Sequence, residues 1–190
     1  CFMMAPKFHH AMRHIAPVRQ ELAQRSVFNL LGPLSNPAAP EFQLLGVYSK
    51  TLLEPMAKVL GRLELTRAWV VWGEDGLDEL SLSAPSHVTE LKDGSIRSFT
   101  ITPEEAGFER VGPEALKGGD AKHNAQAMRE TLMGTPSAYL NAVLLNSAAA
   151  LQIAGKADSL TQGVALARES IDEGRAYKLL NQLIDMTNLQ

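Results

Sequence analysis

Residues 25–37 read Arg25-Ser26-Val27-Phe28-Asn29-Leu30-Leu31-Gly32-Pro33-Leu34-Ser35-Asn36-Pro37, an apolar run that stops in Gly-Pro and then Asn-Pro. Glycine reaches backbone angles closed to other residues, while proline fixes φ and pushes the residue before it away from helix. A rigid loop around Gly32 and Pro33 is the expectation. Such a loop has little freedom to lose, so it can wall a pocket for a small planar ligand with little ordering entropy opposing binding. Residue chemistry alone favours the plainer reading of the same residues, a buried segment followed by an ordinary turn.

Downstream, Phe42 to Tyr48 is apolar apart from Gln43, as expected for a strand covered on both faces. Thr51 to Leu63 carries Leu52, Met56, Val59, Leu60 and Leu63 at helical spacing, with Pro55 tolerable only in the first turn. Ala68 to Trp72 reads as a second buried strand ending at Gly73, and its exit loop to Leu80 holds Glu74, Asp75, Asp78 and Glu79. In open α/β sheets ligands collect at the carboxyl ends of strands, so this loop is where chemistry is sought first. His87 to Leu91 and Ser95 to Thr100 form a hairpin through Asp93-Gly94, whose residues supply the positive φ angles of a tight turn.

The last third is expected to be helical. Asp120 caps a helix to Met133, Thr135-Pro136 opens another that Gly155 closes, and Ser159 with Gln162 forms a capping box before a helix ended by Gly174. A final helix spans about Ala176 to Met186. Upstream, Cys1 to Pro6 reads as the end of a buried strand, and Phe8 to Leu22 as a short helix, a break at Pro17 and a second helical turn presenting Arg19.

The 190 residues are 45% hydrophobic and 21% charged, enough apolar side chain for one α/β domain over 1–190. A net charge of −3, with 18 basic residues scattered among 21 acids, gives no footprint for nucleic acid. The apolar run from Ala138 to Ala154 is broken by Asn141, Asn146 and Gln152 and is too short to span a membrane. The lone cysteine, Cys1, excludes an internal disulfide framework and suits a reducing cytoplasm. It reads as the middle of a longer chain, because neither an initiator methionine nor a signal-peptide pattern opens the sequence.

Three groups of residues could carry chemistry. Asp78 and Glu79 offer hard oxygen ligands, and Mg2+ takes one or two carboxylates together with substrate phosphates and retained waters. The bland reading is a solvated acidic loop, which is how Glu74 and Asp75 are read. Arg19 could fork onto a carboxylate through two parallel hydrogen bonds, or simply be a solvated helix-end arginine, with Arg25 in a supporting part. His9 could pack a ring face on an aromatic substrate. His10, His14, His87 and His123 have no partners at metal-ligand spacing, so zinc is not expected. No nucleophile and base arrangement is recognisable, and Gly118-Gly119-Asp120 reads as helix initiation rather than a phosphate loop.

Phe8-His9-His10-Ala11-Met12, Arg19, the run Arg25 to Pro37 and Gly76-Leu77-Asp78-Glu79 occur in an order and spacing that resemble the anthranilate phosphoribosyltransferase family, over nearly the whole chain. The resemblance implies transfer of the phosphoribosyl group of phosphoribosyl pyrophosphate to the amine of anthranilate, releasing pyrophosphate, in tryptophan biosynthesis. It implies that Asp78 and Glu79 help bind Mg2+, that Arg19 meets the anthranilate carboxylate, and that His9, Gly32 and Pro33 line the anthranilate pocket. The family commonly has His-Pro-Ala-Met where this chain has His9-His10-Ala11-Met12, which loosens the backbone beside His9.

The implied fold is the C-terminal part of a nucleoside-phosphorylase-like or phosphoribosyltransferase-like α/β domain. It has a mostly parallel central sheet flanked by helices, a β-hairpin and a helical C-terminal third. The family's Gly-Thr-Gly-Gly-Asp, Asn-x-Ser-Thr and Lys-His-Gly-Asn segments, which bind phosphoribosyl pyrophosphate, do not occur here, nor does its N-terminal helical domain. The expectation is therefore a partial domain that cannot turn over alone, from a cytoplasmic enzyme that dimerises through the missing domain. Two other readings remain. A pyrimidine nucleoside phosphorylase-like enzyme leaves the Gly32-Pro33-Leu34 and Asn36-Pro37 match unexplained, and a non-catalytic nucleic-acid-binding homologue conflicts with the acidic balance.

Overall fold

The computed structural model describes residues 29–188, together with Pro17, Val18 and Glu21. The strand expected at Cys1 to Pro6, and nearly all of the helical region expected over Phe8 to Leu22, lie outside the described residues.

Four strands, β1 (Phe42–Gly46), β2 (Arg67–Gly73), β3 (Ser86–Lys92) and β4 (Ser95–Ile101), form one sheet in the order β1-β2-β3-β4. β1 and β2 pair in parallel, with Leu44 opposite Trp69 and Gly46 opposite Val71. β3 pairs antiparallel with β2, and β4 antiparallel with β3. The sheet is thus mixed. Among the described strands only β1–β2 has the parallel pairing expected of most of it, because the hairpin, whose strands can only be antiparallel, extends the sheet from β2. That hairpin turns at Asp93 (φ 48°) and Gly94 (φ 78°), as the Asp-Gly pair predicts.

Helices cover both faces. α1 is a single turn at Leu31–Leu34, and α2 (Leu53–Arg62) forms the crossover between the parallel strands after a 3-10 turn at Lys50–Leu52 capped by Ser49. Pro55 falls in the first turn of α2, where its missing N–H costs nothing. Leu45, Val70 and Leu91 meet Leu53, Met56, Ala57 and Leu60 of α2 on one face. On the other, Trp69, Val71 and Val88 meet Leu145, Ala149 and Ile153 of α4 (Ala138–Ile153).

α4 also buries Leu140 and Leu144 against Ala167 and Ile171 of α5 (Leu160–Asp172). It is therefore apolar nearly all round, the pattern of a central helix. α3 (Ala121–Leu132) and α6 (Arg175–Asn188) complete the helical third. Asp120 caps α3 by accepting from the His123 N–H at 2.8 Å. Ser137, rather than Thr135-Pro136, caps α4. Ser159 accepts from the Gln162 N–H, while the Gln162 side-chain Oε1 accepts from the Asp158 N–H rather than from the cap residue's own.

Where α4 and α5 cross, Gly163 lies so close to Ala148 that a Cβ on it would sit 2.8 Å from the alanine's main chain and Cβ. Gly163→Ala gains about 1 kcal/mol of helix propensity. Overpacking at a backbone contact costs about 1–3 kcal/mol, so crowding wins and the variant is expected to be less stable. A urea unfolding midpoint that stayed put or rose would contradict the tight crossing.

Candidate functional site

The exit loop of β2 is an ordered structure rather than a solvated strand end. Gly73 ends the strand, its N–H donates to the Leu77 carbonyl at 2.8 Å, and Gly76 (φ 90°) makes the bend. Inside this bend Asp75 accepts from the hydroxyl of Ser81 at 2.5 Å, from the hydroxyl of Ser83 and from the Leu77 N–H at 3.3 Å. Burial pushes the Asp75 carboxyl up, but these hydrogen bonds outweigh it and hold the group below the ordinary carboxylate range. Ser81, itself buried, accepts from the main chain of Ser83 and Ala84, and its own N–H donates to Ser86 Oγ at 2.8 Å. Asp75, read from sequence as a surface charge, is exposed as expected but is also the hydrogen-bond hub of the loop.

Asp78 and Glu79 project from this knot and are both exposed. The next residue, Leu80, is buried among Leu82, Leu145 and Ala149. Its main chain is clamped by Asn146 of α4: the Leu80 N–H donates to Asn146 Oδ1 at 2.9 Å, and Asn146 Nδ2 donates to the Leu80 carbonyl at 3.1 Å. On the other side of the pair, Asp78 abuts the end of β1, where a Cβ built on Gly46 would lie 1.5 Å from the Asp78 carbonyl oxygen. Protein packed around the Glu79 carboxyl, and then the charges of Asp78 and Asp75, raise its pKa. Among the described residues no basic side chain pairs with either carboxylate to offset this repulsion, which a bound cation would relieve.

Among the described residues no group of three or more Asp, Glu, His or Cys side chains is arranged to hold a metal ion. Two exposed carboxylates suit a cation that keeps waters and takes phosphate oxygens, the habit of Mg2+. Beside the loop, Glu74 lies 2.7 Å from His87 Nε2, whose ring stacks on Trp72, with Lys50 Nζ 3.2 Å from the same nitrogen.

Gly32 and Pro33 differ from expectation. They lie inside α1 rather than in an open loop, and Gly32 is absent from the glycines with positive φ. In a four-residue helix every N–H is a first-turn group without an acceptor, so proline costs no hydrogen bond. The clash that normally bars helix before proline is also eased, because Gly32 has no Cβ. α1 is half-buried, packs Leu30 and Leu34 towards the α2 side of the sheet, and is tied to β1 by Gln43 Nε2 donating to the Pro33 carbonyl at 3.0 Å. The open side of Gly32 has no neighbour within 4 Å among the described residues. Strand alternation sets Gln43 and Gly46 on opposite faces of β1, so that one strand meets both α1 and the carboxylate loop. Arg19, Arg25 and His9 lie outside the described residues.

Sequence reasoning missed Asp75, Gly46 and Asn146. Asn146 left the clearest trace, as one of the amides interrupting an otherwise apolar helix. A polar group buried at such a position calls for a partner.

The family model described as "Glycosyl transferase family, a/b domain" matches residues 1–177. The chain is 54% identical over 186 residues to the anthranilate phosphoribosyltransferase of Rhodopseudomonas palustris, covering 98% of this chain and 55% of that protein. It resembles the crystal structure of anthranilate phosphoribosyltransferase from Thermus thermophilus, with a TM-score of 0.86 and 48% identity over 95% of this chain and 54% of that one. The Saccharomyces cerevisiae enzyme in complex with phosphoribosyl pyrophosphate and Mg matches all of this chain and 55% of its own, with a TM-score of 0.89 and 29% identity. The chain therefore spans about half the length of its relatives. With a matching family model over most of its residues, a mixed sheet flanked by helices and a carboxylate loop at the end of its parallel strands, the chain belongs to the glycosyl transferase family and carries its a/b domain.

Proposed function

We propose that this chain is the C-terminal portion of an anthranilate phosphoribosyltransferase, which transfers the phosphoribosyl group of phosphoribosyl pyrophosphate to the amine of anthranilate in tryptophan biosynthesis. The observation that carries the reading is the Asp78-Glu79 pair, exposed and anchored at the carboxyl end of β2, in a chain about half identical to enzymes of that name. As the bond to pyrophosphate breaks, positive charge builds on the ribose and negative charge on the leaving group. Mg2+, when bound, supplies charge neutralisation on the leaving pyrophosphate.

Asp78 and Glu79 are the carboxylate ligands in this reading, leaving the rest of the coordination sphere to phosphate oxygens and water. Arg19 meets the anthranilate carboxylate through its planar fork, and His9, Gly32 and Pro33 line the pocket that orients the ring. Holding the amine in line with the ribose is the positioning part of catalysis. The open side of Gly32 suits a ring packed against backbone. The enzyme is read, from the family resemblance, as a cytoplasmic homodimer. No helix among the described residues is long and apolar enough to cross a membrane.

The test is consumption of anthranilate by the complete encoded polypeptide with phosphoribosyl pyrophosphate, with and without Mg2+, beside the same assay on residues 1–190. Magnesium-dependent turnover by the long form and none by the short form is the expected result. Absence of turnover by a folded long form, with phosphorolysis of a pyrimidine nucleoside in its place, would overturn the assignment.

A further inference from the structure

We infer that Asn146 and Gly46 are positioning residues for the Asp78-Glu79 pair, acting through the main chain of residues 78–80; the inference rests on the proposed cation-binding role of that pair. A carboxylate pair shared with a phosphate-bound cation is useful only if its oxygens stay at fixed positions, and supporting groups around metal ligands govern affinity as well as orientation. Exposed side chains on a loop cannot hold themselves in that way. The anchorage must come from the backbone on either side.

Asn146 satisfies both main-chain polar groups of Leu80, the residue that follows Glu79, with bonds of 2.9 Å and 3.1 Å. Its Nδ2 also donates to the Ala142 carbonyl at 3.1 Å, which locks the amide orientation from within α4. A side chain serving a peptide 66 residues away in sequence therefore has one rotamer and one role. Gly46 acts by exclusion. The Asp78 carbonyl occupies the space a Cβ would need, so any other residue at the end of β1 displaces the peptide carrying the first carboxylate. Between the two contacts, residues 78 and 79 have clamped backbone on each side while their carboxylates face outward.

Asn146→Asp tests the clamp at constant shape. The Oδ1 acceptor for the Leu80 N–H is kept, but the donor to the Leu80 carbonyl becomes a carboxylate oxygen facing a carbonyl oxygen. Gly46→Ala tests the exclusion. Leu60→Ala, in the core on the α2 face away from the loop, is the control for general destabilisation. Mn2+ affinity of the complete encoded polypeptide, measured by electron paramagnetic resonance with phosphoribosyl pyrophosphate present, gives a readout independent of turnover.

Asn146→Asp and Gly46→Ala are each expected to weaken Mn2+ binding by about 10-fold or more, with Leu60→Ala unchanged. If Asp78→Asn with Glu79→Gln abolishes Mn2+ binding while Asn146→Asp and Gly46→Ala leave it intact, the positioning inference is overturned and the carboxylate reading stands. Should the carboxylate double variant bind Mn2+ as the parent does, the ligand role fails and the positioning inference falls with it. A loss in Leu60→Ala equal to that of the two test variants would likewise overturn the inference, since it would mark a general effect of instability.

Discussion

Asp78→Ala combined with Glu79→Ala is expected to lower magnesium-dependent turnover by about 10²–10³-fold or more, the scale on which single preorganised electrostatic groups act at a transition state. The folded structure is expected to survive. Both side chains are exposed, and substitutions at such places usually move stability by about 0.5 kcal/mol or less. The anchorage of the loop, through Asp75, Ser81, Leu80 and Asn146, involves neither side chain. Protein packed beside the exposed Glu79 carboxyl and the charges of Asp78 and Asp75 disfavour its ionised form, so removing it relieves repulsion. The expected pattern is an unchanged or slightly raised melting temperature with lost turnover. Turnover that kept its magnesium dependence in the double variant would remove the proposed ligand role.

The second large effect concerns stability. Glu90 of β3 has no accessible surface, yet it is a carboxylate. Its Oε1 accepts from Arg67 Nε at 2.8 Å and Trp69 Nε1 at 2.9 Å, and its Oε2 from Arg97 Nε at 2.5 Å. Arg67 continues the network by donating from Nη1 to the Gln152 carbonyl near the end of α4, at 2.7 Å. Glu90→Ala strands a largely buried guanidinium and an indole N–H, and removing one partner of a buried ion pair costs about 3–5 kcal/mol. Glu90→Gln keeps an acceptor but turns an amide donor towards one of the arginines, so a smaller loss is expected. Denaturant unfolding orders the three proteins; an alanine variant as stable as the parent would show that the network contributes nothing.

The same network sets a pH dependence. Burial raises the Glu90 pKa, but hydrogen bonds from Trp69, Arg97 and Arg67 and the charge of Arg67 outweigh it, leaving the folded-state value below the ordinary one. A depressed carboxylate binds fewer protons folded than unfolded, so its stabilisation is complete above the unfolded pKa of about 4.3. That stabilisation drains away as pH falls through the folded value. The parent is therefore expected to lose stability more steeply below about pH 4 than Glu90→Gln, a difference that acid titration of the unfolding free energy measures.

Local chemistry was readable in the chain itself. Asp93-Gly94 turned as its residue types require, Asp120 and Ser159 capped the helices they precede, and Pro55 sat where proline is harmless, because each of these rules acts within a few residues. Gly32-Pro33 misled because the rules against proline in helices describe helix interiors, and a one-turn helix has none. The sheet's mixed character was half visible, in the hairpin that departs from strand–helix alternation. Long-range support for the candidate site was not legible. Hydrophobic period and turn chemistry carry no information about a glycine of β1 meeting a peptide 32 positions later, or an amide in α4 meeting Leu80. Asp78 and Glu79 stood out by type, whereas Asp75, three positions earlier, looked the same on paper and, though exposed, proved to be the hydrogen-bond hub of the loop.

β1 also works as a gauge. Gln43 fastens the short helix of Gly32 and Pro33, and Gly46 receives the peptide of Asp78, so the two anchor points lie three strand residues apart, about 10 Å at the rise of an extended chain. Paired residue for residue with β2 from Phe42 to Gly46, the strand neither stretches nor hinges over that span. Insertion of a single residue between Gln43 and Gly46 would turn one anchor to the wrong face of the sheet. On the proposed function, any opening or closing is expected to come from parts approaching this frame from outside, with α1 and the carboxylate loop as its stationary jaw.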